Sequence, residues 1–265
     1  MNDRPTSPPA TSYARRTSPE RQQASTPRAV LVPAGAVEQH GPHLPLGVDA
    51  WLATALCHRV AGVLGDAVTV AEPLSYGCSW HHTTFAGTVS LRTSTFVALL
   101  TDVCAALHAD GNHVVIVNGH GGNRGVLQVA AADLAAQGVP TWSVSYFELL
   151  GDIVARLFDD PRSAGHACAM ETSMMLFLWP ELVRARLVPE GGTPTSWPDQ
   201  HLFGGDHVRT VRSFDKINPT GVVGRPDLAR ADAGEELVNE AVARLVDIVR
   251  RVLSQPTAAG SPSEQ

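Results

Sequence analysis

The chain has 265 residues, with 20 Lys and Arg against 26 Asp and Glu for a formal net charge of −6. That length suits one α/β domain with a substantial core, and an acidic chain without clustered Lys and Arg argues against a general nucleic-acid binder. Cys57, Cys78, Cys104 and Cys168 are widely spaced and form no C-x-x-C pair, which suits free thiols in a reducing cytosol.

Residues 1–27 are rich in Pro, Ser, Thr, Arg and Gln. So little apolar surface does not offset the entropy of ordering, and the segment is expected to be disordered, as is 254–265. Arg15 and Arg16 precede no apolar stretch and make no export signal, and no run is long enough to span a bilayer; the expected location is the cytoplasm. The ordered domain is expected over 28–253. It opens on an apolar run at 28–33, of the kind that fills a buried parallel strand.

Next comes GAVEQHGPHLPLGVD, residues 35–49, which carries Glu38, His40, Asp49 and a further His43 on a segment stiffened by Pro42 and Pro45. Glu, His and Asp together are ligands for a divalent transition ion such as zinc, manganese or iron. Glu-x-His alone recurs by chance; Asp49 and the later loop at His120 turn the reading towards a metal site. An amphipathic helix is predicted over 50–64, with Asp49 near its start and His58 facing solvent, then a second strand over 67–71. The connection LSYGCSWHHTTFAGT at 74–88 is long, as functional loops are. Trp80 and His82 are its candidates for substrate contact; His81 reads equally as a surface residue, and the two histidines equally as hydrogen-bonding groups within the loop.

Ser94 is expected to cap a helix that ends at Gly111. The apolar run 113–118 is the clearest strand, followed by the glycine loop around His120 and a helix over 124–137. Ligands bind at the carboxyl ends of parallel strands, so His120 is expected at the same rim as the Glu38–Asp49 loop. A phosphate-cradling loop would need the P-loop Lys-Ser/Thr or the Rossmann glycine spacing, and neither is present. A strand over 141–145 and a helix over 146–158 follow. The run 165–178 is apolar almost all round and reads as a buried helix, with His166 at its start and Met170, Met174 and Met175 in the core. Glu171 within it needs a partner, because burying a lone carboxylate is costly: the metal, an arginine or a cap at another helix. The Gly/Pro-rich stretch 190–205 with Trp197 suggests a lid or an oligomer contact, and an amphipathic helix closes the domain over 231–252. Alternating strands and helices predict a three-layer α/β/α sandwich with a mainly parallel central sheet.

Four motifs in one order, GAVEQHGPHLPLGVD, HHTTFAGTVSL, VNGHGGN and HACAMETSMML, resemble the creatininase (creatinine amidohydrolase) family from about Leu31 to Val183, and more weakly to Leu253. The resemblance implies Glu38, His40, Asp49 and His120 as metal ligands, with Asp49 placed to bridge two ions. It also implies a homo-oligomer with active sites near the contacts, and proton transfer by His166. Creatininase proper has a metal-binding glutamate where this chain has Gly122. Either Glu171 supplies that carboxylate, as ligand or as base, or the second ion is weak or absent, and the expected substrate moves away from creatinine. The wider family includes formamide hydrolases of flavin biosynthesis and mycofactocin-precursor peptidases; the latter carry a pattern closer to DAHAG-x-x-ET where this chain has HACAMET.

The expected activity is metal-dependent hydrolysis of a non-standard C–N bond in a lactam, formamide or modified peptide, with one or two zinc, manganese or iron ions per subunit. Release of a modified C-terminal dipeptide from a mycofactocin-type precursor is the second reading. A non-catalytic ligand-binding or scaffold protein on the same fold is the third. Serine or cysteine nucleophile chemistry finds no G-x-S-x-G and no evident cysteine–histidine pair.

Overall fold

The computed structural model of the protein describes residues 8–22, 28–160, 163–191 and 211–256. Trp197 and most of the expected lid segment lie outside the described residues. The elements are α1 (Ser18–Gln22), β1 (Arg28–Ala34), α2 (Val48–Leu64), β2 (Val68–Val70), α3 (Thr93–Ala109), β3 (Asn112–Asn118), α4 (Arg124–Ala136), β4 (Thr141–Ser145), α5 (Gly151–Phe158), α6 (Ala169–Leu178) and α7 (Ala231–Leu253).

The four strands form one parallel sheet in the order β2-β1-β3-β4. Successive strand residues point to opposite faces. Leu31, Val115 and Val117 therefore join a core with α2, α6 and α7, whereas Val30, Val32, Val114 and Ile116 pack with α3 and α4. This is the expected three-layer sandwich. No helix among the described residues is long and apolar enough to cross a membrane.

The strand order determines where the site lies. The chain leaves β1 through α2 on one face and leaves β3 through α4 on the other. The crevice where two such connections part, outside the carboxyl ends of the strands, is where sheets of this kind bind ligands. Glu38, His40 and Asp49 follow β1 and His120 follows β3, so topology delivers all four to that crevice.

The approach there is close. A β-carbon at Gly119 would lie 2.4 Å from the Asp49 carbonyl oxygen, and one at Gly35 would lie 2.4 Å from the Ala50 nitrogen. Glycines at the ends of both strands let the first turn of α2 seat Asp49 between them. Gly119→Ala is expected to destabilise the protein by about 1–3 kcal/mol through overpacking and to weaken metal retention by displacing Asp49. Urea unfolding and elemental analysis read the two effects, and an unchanged midpoint with full metal would contradict both.

Several expectations change. Residues 8–22 are ordered: Ser12 bridges Val70 at the sheet edge, and Tyr13 Oη and Arg21 Nη2 donate to Asp110 Oδ2 over 2.8 and 2.7 Å. The segment is held by hydrogen bonds that cover an edge strand and by Tyr13, which packs against the core on the α3 and α4 side, contacts that composition does not reveal. Thr11 Oγ1 lies 2.7 Å from His58 Nδ1, and His58 is half-buried beneath this segment instead of facing solvent. Helix α3 starts at Thr93 with Arg92 as its N-cap, and 146–158 divides into a 3-10 turn, Tyr146–Leu150, and α5. Helix α6 begins only at Ala169, because Ala167 takes a positive φ of 50° and His166 pairs with Val223 as an antiparallel bridge. His166 thus stands on extended backbone before the helix. Met170, Met174, Met175 and the four free cysteines are buried, as expected.

Candidate metal centre

Three imidazoles are each anchored at one nitrogen and aimed at carboxylates with the other. His40 places Nδ1 3.1 Å from the Glu38 carbonyl oxygen and Nε2 3.0 Å from Asp49 Oδ1. His120 places Nε2 3.1 Å from the Cys78 carbonyl oxygen, and Nδ1 3.0 Å from Asp49 Oδ2 and 3.3 Å from Glu38 Oε1. His166 places Nε2 2.7 Å from the Gln39 carbonyl oxygen and Nδ1 3.7 Å from Glu38 Oε1. A carbonyl oxygen only accepts, so the nitrogen facing it carries the hydrogen in each ring. Each neutral ring then turns a lone pair towards carboxylate oxygens, an arrangement that calls for a proton or a cation between them.

The carboxylates ask for the same thing. Both Glu38 oxygens and Asp49 Oδ2 are buried and accept no well-directed hydrogen bond, although imidazole nitrogens stand at ion-pair distance. Buried polar atoms are seldom left so, and imidazoles with carboxylates are the donor set of a divalent transition ion. Ligand atoms within 4.8 Å of one another form three overlapping groups: His40 with Asp49 and Glu171, Glu38 with His81 and His120, and Glu38 with His40 and His166. The residues present therefore fit one or two ions.

Without an ion, protons take that place. Burial disfavours charge on His40 and His120, but Asp49 beside His40 and Glu38 beside His120 outweigh it; His40 is raised to about 9 and His120 well above its ordinary value. Burial alone would raise Asp49, yet the charge of His40 and the hydrogen bonds of His120 and His40 hold it well below the usual carboxylate range. Glu171 stands at the third position of α6, where its Oε2 lies 3.4 Å from the Cys168 N–H and caps its own helix. Burial pushes it up to about 7, with His40 pulling the other way. It is thus both a helix cap and a member of the cluster.

The structure brings His82 into the site and leaves Trp80 outside it. His82 Nε2 lies 3.3 Å from Glu38 Oε1, while Trp80, on the same 3-10 turn, is 60% exposed. Burial drives the pKa of His82 far down, and that of His166 with it. His43 is buried apart from the cluster, with Nε2 2.9 Å from Thr172 Oγ1, and ties the ligand loop to α6. Two neighbours of the site are not among the sequence candidates. Gln39 donates from Nε2 to His82 Nδ1 at 2.8 Å and to the Gly221 carbonyl at 3.1 Å, which fixes the His82 tautomer with its hydrogen on Nε2, facing Glu38. Its position between Glu38 and His40 is the signal that could have marked it. Phe214 closes over His82 and His166 with ring centroids at 4.1 and 5.2 Å, and nothing in its local sequence marks it. A small cavity is lined by Glu38, Asp49, His120, Phe147, His166 and Glu171 among others.

Comparison with known proteins agrees with this geometry. The family model described as creatinine amidohydrolase matches residues 14–249. The mycofactocin precursor peptide peptidase of Mycolicibacterium smegmatis is 34% identical over 240 residues, covering 89% of this chain and 90% of that protein. The creatinine amidohydrolase of Pseudomonas putida is 28% identical over 249 residues, covering 87% and 92%. The solved structure described as "Creatininase Mn" superimposes with a TM-score of 0.78 at 26% identity, over 92% of this chain and 99% of the other. A match of that length, on a fold whose crevice gathers Glu38, His40, Asp49 and His120, means that this chain belongs to the creatininase family of amidohydrolases.

Proposed function

We propose that this protein is a metal-dependent amidohydrolase that cleaves a C–N bond other than an ordinary peptide bond. One ion is assigned to His40, Asp49 and Glu171 and a second to Glu38 and His120, with Asp49 shared. The carrying observation is the pair of lone pairs on His40 and His120, each fixed by a backbone carbonyl and turned on buried carboxylate oxygens. Ligating histidines are held in this way, the second N–H donated to a carbonyl or carboxylate so that tautomer and ring orientation are set.

A divalent ion held here supplies Lewis acidity, lowering the pKa of a water to about 7 and polarising an amide carbonyl. The chain's own residues do the rest. His166 lines the cavity with Nε2–H held on the Gln39 carbonyl and a lone pair on Nδ1, so it can accept a proton from water and return it to the leaving nitrogen. Gln39 holds both His82 and His166 in place. Phe147 and Met170 give the cavity an apolar wall beside the polar cluster, and Phe214 shields the rings of His82 and His166 from water.

Within this class the higher identity to a mycofactocin precursor peptide peptidase than to a creatinine amidohydrolase, 34% against 28%, favours a modified peptide over a creatinine-like lactam. The test is elemental analysis of protein purified without added metal, wild type beside His120→Ala, followed by assays with creatinine, an N-formyl compound and a peptide with a modified C-terminal dipeptide. Bound metal in wild type, lower by at least one ion in His120→Ala, with turnover of one of these amides by wild type, is the expected result. Metal binding without turnover of any amide would favour a binding protein on the same fold. His166→Gln is expected to lower kcat by about 10²–10⁴, the range of general acid–base catalysis, with metal content unchanged; loss of metal in that variant would make His166 a ligand instead.

A further inference from the structure

Gly122 follows His120 by two residues, and there is no room for a side chain on it. A β-carbon at 122 would lie 2.4 Å from His120 Nε2, 2.4 Å from the Cys78 carbonyl oxygen and 2.7 Å from His81 Cε1. The His81 ring occupies that space, stacked on the His120 ring at 5.5 Å with 5° between their planes. One ligand atom of His81 lies within 4.8 Å of ligand atoms on both Glu38 and His120. Its other neighbours are the rings of His82 and Phe214, and among the described residues its nitrogens make no hydrogen bond. A half-buried imidazole without a hydrogen-bond partner among the described residues, set beside a buried carboxylate that accepts no well-directed hydrogen bond, has a ligand's surroundings.

We propose that His81 is a ligand of the ion assigned to Glu38 and His120, reaching it through the space that glycine at 122 leaves. This rests on the reading of the cluster as a metal centre. Counting shared Asp49, the ion at Glu38 then has four protein ligands and the ion at His40 has three. Four protein ligands make a complete set for a tetrahedral ion, so His81 would complete the set around Glu38, His120 and shared Asp49.

Cobalt(II) is the probe, loaded into the full chain after chelator treatment. Each ligating histidine whose other nitrogen carries hydrogen gives a hyperfine-shifted, exchangeable N–H signal in the proton NMR spectrum. His81→Gln is expected to show one fewer such signal than wild type. It should also bind one of its two cobalt ions about 100-fold more weakly, at least the loss that follows removal of a ligand's hydrogen-bond partner. An unchanged signal count with two unchanged affinities would overturn the assignment of His81 and leave the metal centre standing; wild type that binds no cobalt, zinc or manganese would overturn both. A measurement on wild type covers a variant that does not fold: diethyl pyrocarbonate should modify His81 in the stripped protein and not in the cobalt-loaded one, as mapped by peptide mass spectrometry. Equal modification in both states would overturn the proposal.

Discussion

Asp49→Ala is expected to lose both ions at once and to lower amide hydrolysis by about 10⁴ or more, the factor that corresponds to the several kcal/mol a divalent ion contributes to catalysis. Asp49 is the carboxylate common to the two halves of the site: Oδ1 stands 3.0 Å from His40 Nε2 and Oδ2 3.0 Å from His120 Nδ1. Each of the other candidate ligands belongs to one half, so its loss should remove one ion and weaken the other. Glu171→Ala is the contrast, expected to lose only the ion at His40. Asp49→Ala is expected to cost stability as well, because it leaves His40 and His120 buried without their shared carboxylate, although it relieves repulsion with Glu171. Elemental analysis with a thermal melt on the same preparation gives the answer. Stoichiometric metal retained in a folded Asp49→Ala protein would show that Asp49 does not join the two ions.

Much of this centre is legible in the sequence, for identifiable reasons. The Glu38–Asp49 loop stands out because two prolines stiffen it, and because a buried strand and a helix bracket it at fixed distance. His120 is legible for a topological reason: a strand that runs into a glycine loop and a helix must end at the rim where β1 ends. Other features depend on contacts that no local pattern encodes. Phe214 reaches His82 from a segment more than a hundred residues away, so its ring closes the site without any neighbouring signal. Glu171 left the metal, an arginine or a cap at another helix open from sequence; the fold gives it the cluster and also the N-terminus of its own helix, which was not among them. His81 read equally as a surface residue because adjacency to His82 says nothing about which way a turn points. The order of residues 8–22 was illegible for an energetic reason, since its stabilising bonds are made to Val70, Asp110 and His58 and none to itself as a core.

Metal affinity and stability should depend on pH in opposite senses. In the stripped protein His40, raised to about 9, and His120, raised further from its ordinary value, each hold a proton against a carboxylate at neutral pH. A group whose folded pKa is raised contributes stability that is complete below its unfolded pKa and is lost as pH climbs through the folded one. For His40 the span from 6.5 to about 9 is worth about 3 kcal/mol. Glu171, raised from 4.5 to about 7, loses its contribution between those values, mostly below this window. His43, His81, His82 and His166 have depressed values and act with the opposite sign, but only below about 6.5, where their unfolded forms begin to charge. Asp49, depressed, contributes fully across the whole window. The buried thiols at Cys57, Cys104 and Cys168 are raised and matter only above their ordinary value near 9. The stripped protein should therefore lose several kcal/mol of stability between about pH 6.5 and 9, while the loaded protein, whose ions replace those protons, stays level. By the same linkage each ion displaces about one proton, so apparent affinity should rise roughly tenfold per pH unit across that window. Urea midpoints of chelator-treated and reloaded protein at pH 6.5, 7.5 and 9, with zinc titrations at each, measure both slopes. A stripped protein equally stable at both ends would mean that His40 and His120 hold no protons there, and that the lone pairs facing Asp49 and Glu38 are accommodated in some other way.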